Sequence, residues 1–296
     1  MAAASADPPA AGARASRWSR WGAGLLIVPA VLVYGLCFLA PIGWILRVSL
    51  DRAVPGGGIA PALTSANYIA FLTDGFRLRE VGRTLTLGLE VTAITLVLTY
   101  PIALFLVRST SRWRGLLITL AIAPLLTSAV VRTYAWIVIL GRNGLINSLL
   151  MRAGVLASPL PLANNMTGVV IALVQVLMPY MALALLSGFG RFDPDLEAAA
   201  MSLGAGPLRT FGRVTLPLSL PGIATGSLLV FVLTISSFIT PRLLGGGRVF
   251  LLATDIYEQA TYTLNWPLGG AISIVLLILS GAIIVVYTRL LRALEY

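Results

Sequence analysis

The chain has 296 residues, 58% of them hydrophobic and 11% charged, with a mean hydropathy of +0.92. A soluble domain carries about a quarter charged residues, and several apolar runs here exceed the roughly 18 residues that mark a spanning helix, so a water-soluble globule is excluded. The formal net charge is +10, carried entirely by Arg, with no Lys and no His, which removes Walker-type phosphate binding, imidazole acid–base catalysis and Cys/His metal clusters.

The Arg residues are scattered over connections rather than clustered, a pattern that suits anionic lipid and argues against nucleic acid. Cys37 is the only cysteine and lies in an apolar run, so no internal disulfide forms.

From the N-terminus, the Ala/Pro/Arg-rich residues 1–20 are expected to form a disordered tail. Residues 21–296 are then one all-α membrane domain. The run that follows the tail is too long for a cleaved signal and has no small-residue cleavage site near its end. Spans are predicted over about 22–46, 84–107, 115–140, 167–190, 221–243 and 268–290, with a polar connector over 191–220 between the fourth and fifth. Trp21, Trp44, Trp113, Trp136 and Trp266 fall near the span ends, as an interfacial aromatic belt requires. An even number of spans puts both termini on one side. Arg14, Arg17 and Arg20 before the first span, with Arg108, Arg112 and Arg114 in the tight second-to-third connection, make that side the cytoplasm. The outer connections, about 47–83, 141–166 and 244–267, are long enough either to pack over the bundle or to dock a delivery protein. Within the last, Gly245 to Gly247 followed by Arg248 lacks the Lys of a phosphate loop and reads as a turn.

Glu90 and Arg132 fall inside predicted spans, where ionisable groups are costly. Counting in from the outer ends of their helices places both at roughly 10–14 Å depth. Adjacent antiparallel helices at that depth would pair them, either as a bundle-stabilising ion pair or as charges lining a pathway. Pro101 and Pro179 are expected to kink the second and fourth spans. In the last outer connection Asp255 and Glu258, with Tyr257 and Tyr262 nearby, either form a solvated loop or hold a polyammonium ion through charge and cation–π contact.

The most informative stretch is the connector from Asp193 to Ile223. Asp193-Pro194 is a helix start, and Asp195 and Glu197 sit at the positive end of its dipole. Ala198, Ala199 and Ala200 supply high helix propensity with little bulk. Gly204 ends the helix, and a second short helix is expected from Pro207, carrying Arg209 and Arg213 on one face and broken by Pro217, with Ser219 capping the next span. On physical grounds the stretch is either an interfacial connector or a docking element for a partner.

Its spacing resembles the signature loop of permease subunits of binding-protein-dependent ABC importers: E-A-A, three residues, Gly, nine residues, an Ile-like residue, one residue, Leu-Pro. Here Gly204, Val214, Leu216 and Pro217 fit the second half, and Ala199 and Ala200 the two Ala slots. Ala198 occupies the Glu slot, and Glu197 lies one residue early. Leu39-Ala40-Pro41 and Val131 to Trp136 look like the spermidine/putrescine type in particular.

The resemblance implies a transport subunit, not an enzyme, that binds no cofactor itself. ATP and Mg would sit on two partner ATPase subunits gripping the loop from the cytoplasm. A second permease, in a heterodimer, would complete the pathway in the inner membrane, and an extracytoplasmic solute-binding protein would deliver a polyamine or a related cationic or amino-acid-like solute. A permease for another solute, a carrier working without an ATPase and a membrane-embedded enzyme remain as alternatives. The enzyme is the poorest fit to a chain with so few catalytic side chains.

Overall fold

The computed structural model describes residues 28–190 and 193–294; the expected tail 1–20 and Arg191 lie outside the described residues. Among the described residues the fold is helical apart from one small hairpin. Helix α1 is Val28–Ser49, followed by strands β1 (Arg52–Val54) and β2 (Gly58–Ala60), which pair antiparallel with Ala53 opposite Ile59. Then come α2 (Ala66–Thr73), α3 (Gly75–Arg108), α4 (Arg114–Ile122), α5 (Ala129–Leu140), α6 (Leu145–Arg152) and α7 (Met166–Phe189). The chain closes with α8 (Pro194–Ser202), α9 (Pro207–Ile235), α10 (Ile239–Leu244), α11 (Leu252–Thr261) and α12 (Trp266–Leu294).

Among the described residues five helices, α1, α3, α7, α9 and α12, are long and apolar enough to cross a membrane, and a sixth span is counted where a bent pair of helices is taken as one. That bend falls in the predicted third span. The halves 114–126 and 129–152 meet at 99°. The last turn of the first half, Ala123–Leu126, tightens to a 3₁₀ helix containing Pro124, and Thr127 is extended. Pro124 has no amide to donate, and the Thr127 hydroxyl turns back onto the Pro124 carbonyl at 2.8 Å. A second difference is that α3 starts nine residues before the predicted 84, so Arg77, Arg79, Glu80 and Arg83 are helical. The fifth helix runs from Pro207 to Ile235 rather than over 221–243.

Pro217 does not break that helix. The turn Phe211–Thr215, ending two residues before it, widens into a π-helix. In α1 the turn Gly35–Leu39 does the same two residues before Pro41. A proline ring clashes with the carbonyl four residues back, and the wider turn moves that carbonyl aside, so the helix continues.

Helices α3, α7 and α9 form the centre of the bundle. Leu87 and Val91 from α3, Leu173, Met181 and Leu185 from α7, and Val230 from α9 are buried together. The α7–α9 crossing is made by glycine: a Cβ on Gly188 would lie 2.7 Å from the Gly222 Cα. Gly226 faces Met181, and Gly88 of α3 faces Phe231 and Ile235. Small residues that let backbones touch are how helices associate where lipid offers no hydrophobic drive. A smaller core joins Phe71, Leu252, Leu268 and Ile272, linking α2, α11 and α12, and α1 packs on α12.

Replacing Gly188 with Val is expected to destabilise the bundle by about 1–3 kcal/mol, since no flexible side chain can yield. A fall of several degrees in the melting temperature of the purified protein checks this. Gly212→Ala, which meets open space, should leave it unchanged.

Candidate functional site

The connector between α7 and α9 is a single short helix and a glycine turn, and its second half belongs to α9. Asp193 caps α8, its side chain accepting from the Asp195 amide at 3.0 Å. At the other end Gly204 adopts φ +83°, with its amide on the Met201 carbonyl (3.0 Å) and the Ala205 amide on Ala200 (3.1 Å). This pair of bonds is the Schellman termination, and the left-handed conformation it needs favours glycine. Ser219 does not cap a helix: its hydroxyl bonds the Leu216 carbonyl at 2.7 Å and lies 3.0 Å from the Tyr100 hydroxyl.

Glu197 points inward. Its Oε1 accepts from the Thr215 hydroxyl at 2.5 Å and from Arg108 Nη2 at 2.6 Å. Arg108 is the last residue of α3, and Thr215 lies in the π-turn of α9. One carboxylate therefore ties α8 to two of the three central helices. Burial pushes the Glu197 carboxyl up, but the hydrogen bonds from Thr215 and Arg108 and the Arg108 charge outweigh it and hold the group below 4.5. Under this brace Tyr100 makes edge contacts with Phe189 (5.6 Å) and Phe211 (6.0 Å), joining α3, the end of α7 and α9.

The outward side of the connector is small and apolar. Ala198 and Ala199 are exposed and Ala200 half-buried. Leu203 and Leu208, flanking the Gly204 turn, are 89% and 88% exposed. Arg209 and Arg213 are exposed and form no ion pair with any described residue. Leu216 is just over one-third exposed, and Pro217 is exposed.

The other expected residues are placed differently. Glu90 is exposed and Arg132 half-buried, and among the described residues they form no ion pair. The bend that turns α5 away from α4 removes the straight antiparallel neighbour their pairing assumed. Arg132 keeps two buried guanidinium nitrogens without a partner.

Asp255 is buried and takes Arg77 Nε at 3.3 Å and Gln259 at 2.8 Å. Glu258 pairs with Arg242 at 3.1 Å, and that guanidinium sits over the rings of Tyr257 (5.3 Å) and Tyr262 (5.2 Å). The acidic and aromatic groups read as a solvated loop or a polyammonium site are thus largely engaged by the chain's own arginines.

Sequence reasoning missed Glu80, which is 1% exposed. The signal was present: Glu80, Thr84, Gly88, Val91, Thr95 and Thr99 recur at helical spacing and are the buried stripe of α3.

Most of the chain also matches a known family. Residues 75–295 match the family described as binding-protein-dependent transport system inner membrane component. The chain belongs to that family. The spermidine/putrescine transport system permease protein PotB of Haemophilus influenzae is 34% identical over 269 residues, covering 91% of this chain and 90% of the relative. The Escherichia coli PotB is 36% identical over 232 residues, covering 78% and 84%. Among solved structures, a bacterial ABC transporter importing the acidic polysaccharide alginate superposes with a TM-score of 0.77 at 15% identity, covering 94% of this chain and 98% of that one. This last likeness speaks for the fold alone. The chain is accordingly a permease subunit of a binding-protein-dependent transporter, not an enzyme.

Deleting the Glu197 carboxylate (Glu197→Gln) should loosen α8 by about 1 kcal/mol, because Arg108 is half exposed and solvent screens the pair. Amide hydrogen exchange over residues 195–204 would then quicken about fivefold. A carboxyl held below its ordinary value stabilises fully above that value and loses the contribution as pH falls through the folded pKa. Intrinsic-rate-corrected exchange in the wild type should therefore stay flat above the ordinary carboxyl range and rise as the pH falls through that range towards the lower folded value.

Proposed function

We propose that this chain forms the translocation pathway of an ATP-driven polyamine importer, with α8 and the Gly204 turn as the surface gripped by a cytoplasmic ATPase. Identity to spermidine/putrescine permeases across nine-tenths of the chain carries the substrate reading. The Arg108–Glu197–Thr215 brace supports the coupling reading. A push on α8 reaches α3 through Arg108 and α9 through Thr215, so closure of the ATPases would rock two central helices together and switch access from one side to the other.

Two ATPase subunits holding ATP and Mg, a second permease in a heterodimer and an extracytoplasmic binding protein complete the assembly. Both termini then lie in the cytoplasm. Ala198 in place of the family's Glu leaves an apolar contact, with Leu203 and Leu208 entering the partner and Arg209 and Arg213 available to its acidic groups. Glu197 is spent within the chain.

Leu203→Glu tests the coupling role. The variant is expected to reach the membrane at the wild-type level, lose co-purified ATPase and take up polyamine at least about tenfold more slowly, as a charge buried in an apolar contact would dictate. Undiminished uptake overturns the role. Competition of labelled putrescine uptake by spermidine, molybdate and alginate oligosaccharide tests the substrate: only spermidine should compete.

A further inference from the structure

Helix α3 carries two stripes. One, with Thr84, Leu87, Gly88, Val91, Thr95 and Thr99, is buried where α3 packs on α7 and α9. The other is Arg79, Arg83, Thr86 and Glu90, which recur at helical spacing and are all exposed. Arg79, Arg83 and Glu90 form no ion pair with any described residue. The Thr86 hydroxyl turns back onto the Gly82 and Arg83 carbonyls at 2.9 and 3.0 Å. Beyond Glu90 the same face continues as Ala93 and Val97, exposed and apolar.

Glu90 decides what covers this face. It stands ~22 Å from Gly75 and ~27 Å from Arg108, the two ends of α3. Wherever a hydrocarbon layer of about 30 Å is set along the helix, Glu90 falls inside it. The apolar runs 22–46, 84–107, 115–140, 167–190, 221–243 and 268–290 hold no other Asp or Glu. A carboxyl turned outward at that depth is costly against lipid, and such groups face a water-filled cavity or a partner instead. The stripe is polar without a break from the end of α3 down to Glu90 and apolar beyond it. Water entering from that end would wet it as far as Glu90.

We propose that this face of α3 lines the aqueous pathway, and that Glu90 is the carboxyl an ammonium group of the solute meets inside the membrane. An R–NH₃⁺ group brings one charge and three donors to a carboxyl that has neither within the chain. Arg79 and Arg83 stand ~16 and ~10 Å nearer the end of the helix, where water and salt screen them. Past Glu90, α3 has no further ionisable side chain until Arg108. The ammonium assignment rests on the polyamine reading, whereas the water-lined face does not.

The test uses the transporter assembled with its partner subunits in proteoliposomes. Cys37, the only cysteine, is first replaced by Ser, and Thr86→Cys is added as a reporter one turn from Glu90. The probes are two water-soluble thiosulfonates, one bearing a trimethylammonium and one a sulfonate. Both are expected to modify Thr86→Cys. The ratio of cationic to anionic rates should fall about fivefold on adding Glu90→Gln. With the native Thr86, Glu90→Gln should raise the KM for putrescine at least about tenfold while kcat changes far less, and Glu90→Asp should restore part of the difference.

No modification of Thr86→Cys, while Arg79→Cys at the end of the stripe reacts, overturns the proposal, because the face is then covered by lipid or by the second permease. An unchanged rate ratio, or an unchanged KM for putrescine, overturns the role of Glu90. If Glu90→Gln does not assemble, Thr86→Cys alone and Glu90→Asp decide. Absence of any putrescine or spermidine uptake by the wild type would count against the polyamine reading, since the two modification rates still report on the face and on its carboxyl.

Discussion

Where α7 and α9 cross, no side chain separates the two backbones: Gly188 and Gly222 meet directly. The other features of the connector depend on this contact. It lies one residue before Phe189, the end of α7, so it fixes where the chain leaves the bundle and where α9 brings it back. Because the two helices are pinned there, α8 and its glycine turn span a fixed gap. Phe189, Tyr100 and Phe211 fill the floor beneath it. A larger residue at the crossing would spread the helices and separate Arg108 from Thr215, leaving Glu197 one partner short.

The two ends of the bundle use charge in opposite ways. At the connector a half-exposed ion pair and a threonine hydroxyl hold an element that is otherwise small and apolar outside. At the other end Arg77 of α3 and Arg242 of α10 are neutralised by Asp255 and Glu258 of α11. They join helices far apart in sequence, Arg77 and Asp255 being 178 residues apart. Arg132 in the bent segment stands apart, because two of its guanidinium nitrogens are buried with no hydrogen-bond partner among the described residues.

Much of this was legible in the sequence, because spans are written as long apolar runs and the connector as a spaced set of Gly, Pro and Ala. Asp193 as a cap and Gly204 as a stop are local chemistry and read directly from the residues. What escaped is non-local or needs backbone detail. Pro217 reads as a breaker because a proline cannot donate, yet a π-turn absorbs it. Pro124 reads as tolerable within one span, yet with the extended Thr127 after it the chain turns through 99°. Glu90 and Arg132 matched in depth along straight helices, and the bend separates them. Asp255 and Glu258 looked available because their arginine partners lie on other elements. Glu80 was hidden by a predicted span that began too late.

Helix α3 is a shaft of 34 residues, ~51 Å long against a hydrocarbon layer of about 30 Å. Its one proline, Pro101, stands seven residues from Arg108 and leaves the Val97 carbonyl without its helical donor. The shaft is thus softest near its braced end and stiff along the remainder. Gly75 lies ~39 Å beyond that pivot, so a tilt of ~10° there carries Gly75 through ~7 Å. A bend at that point would therefore displace the far end of the shaft several times farther than the short segment between Pro101 and Arg108.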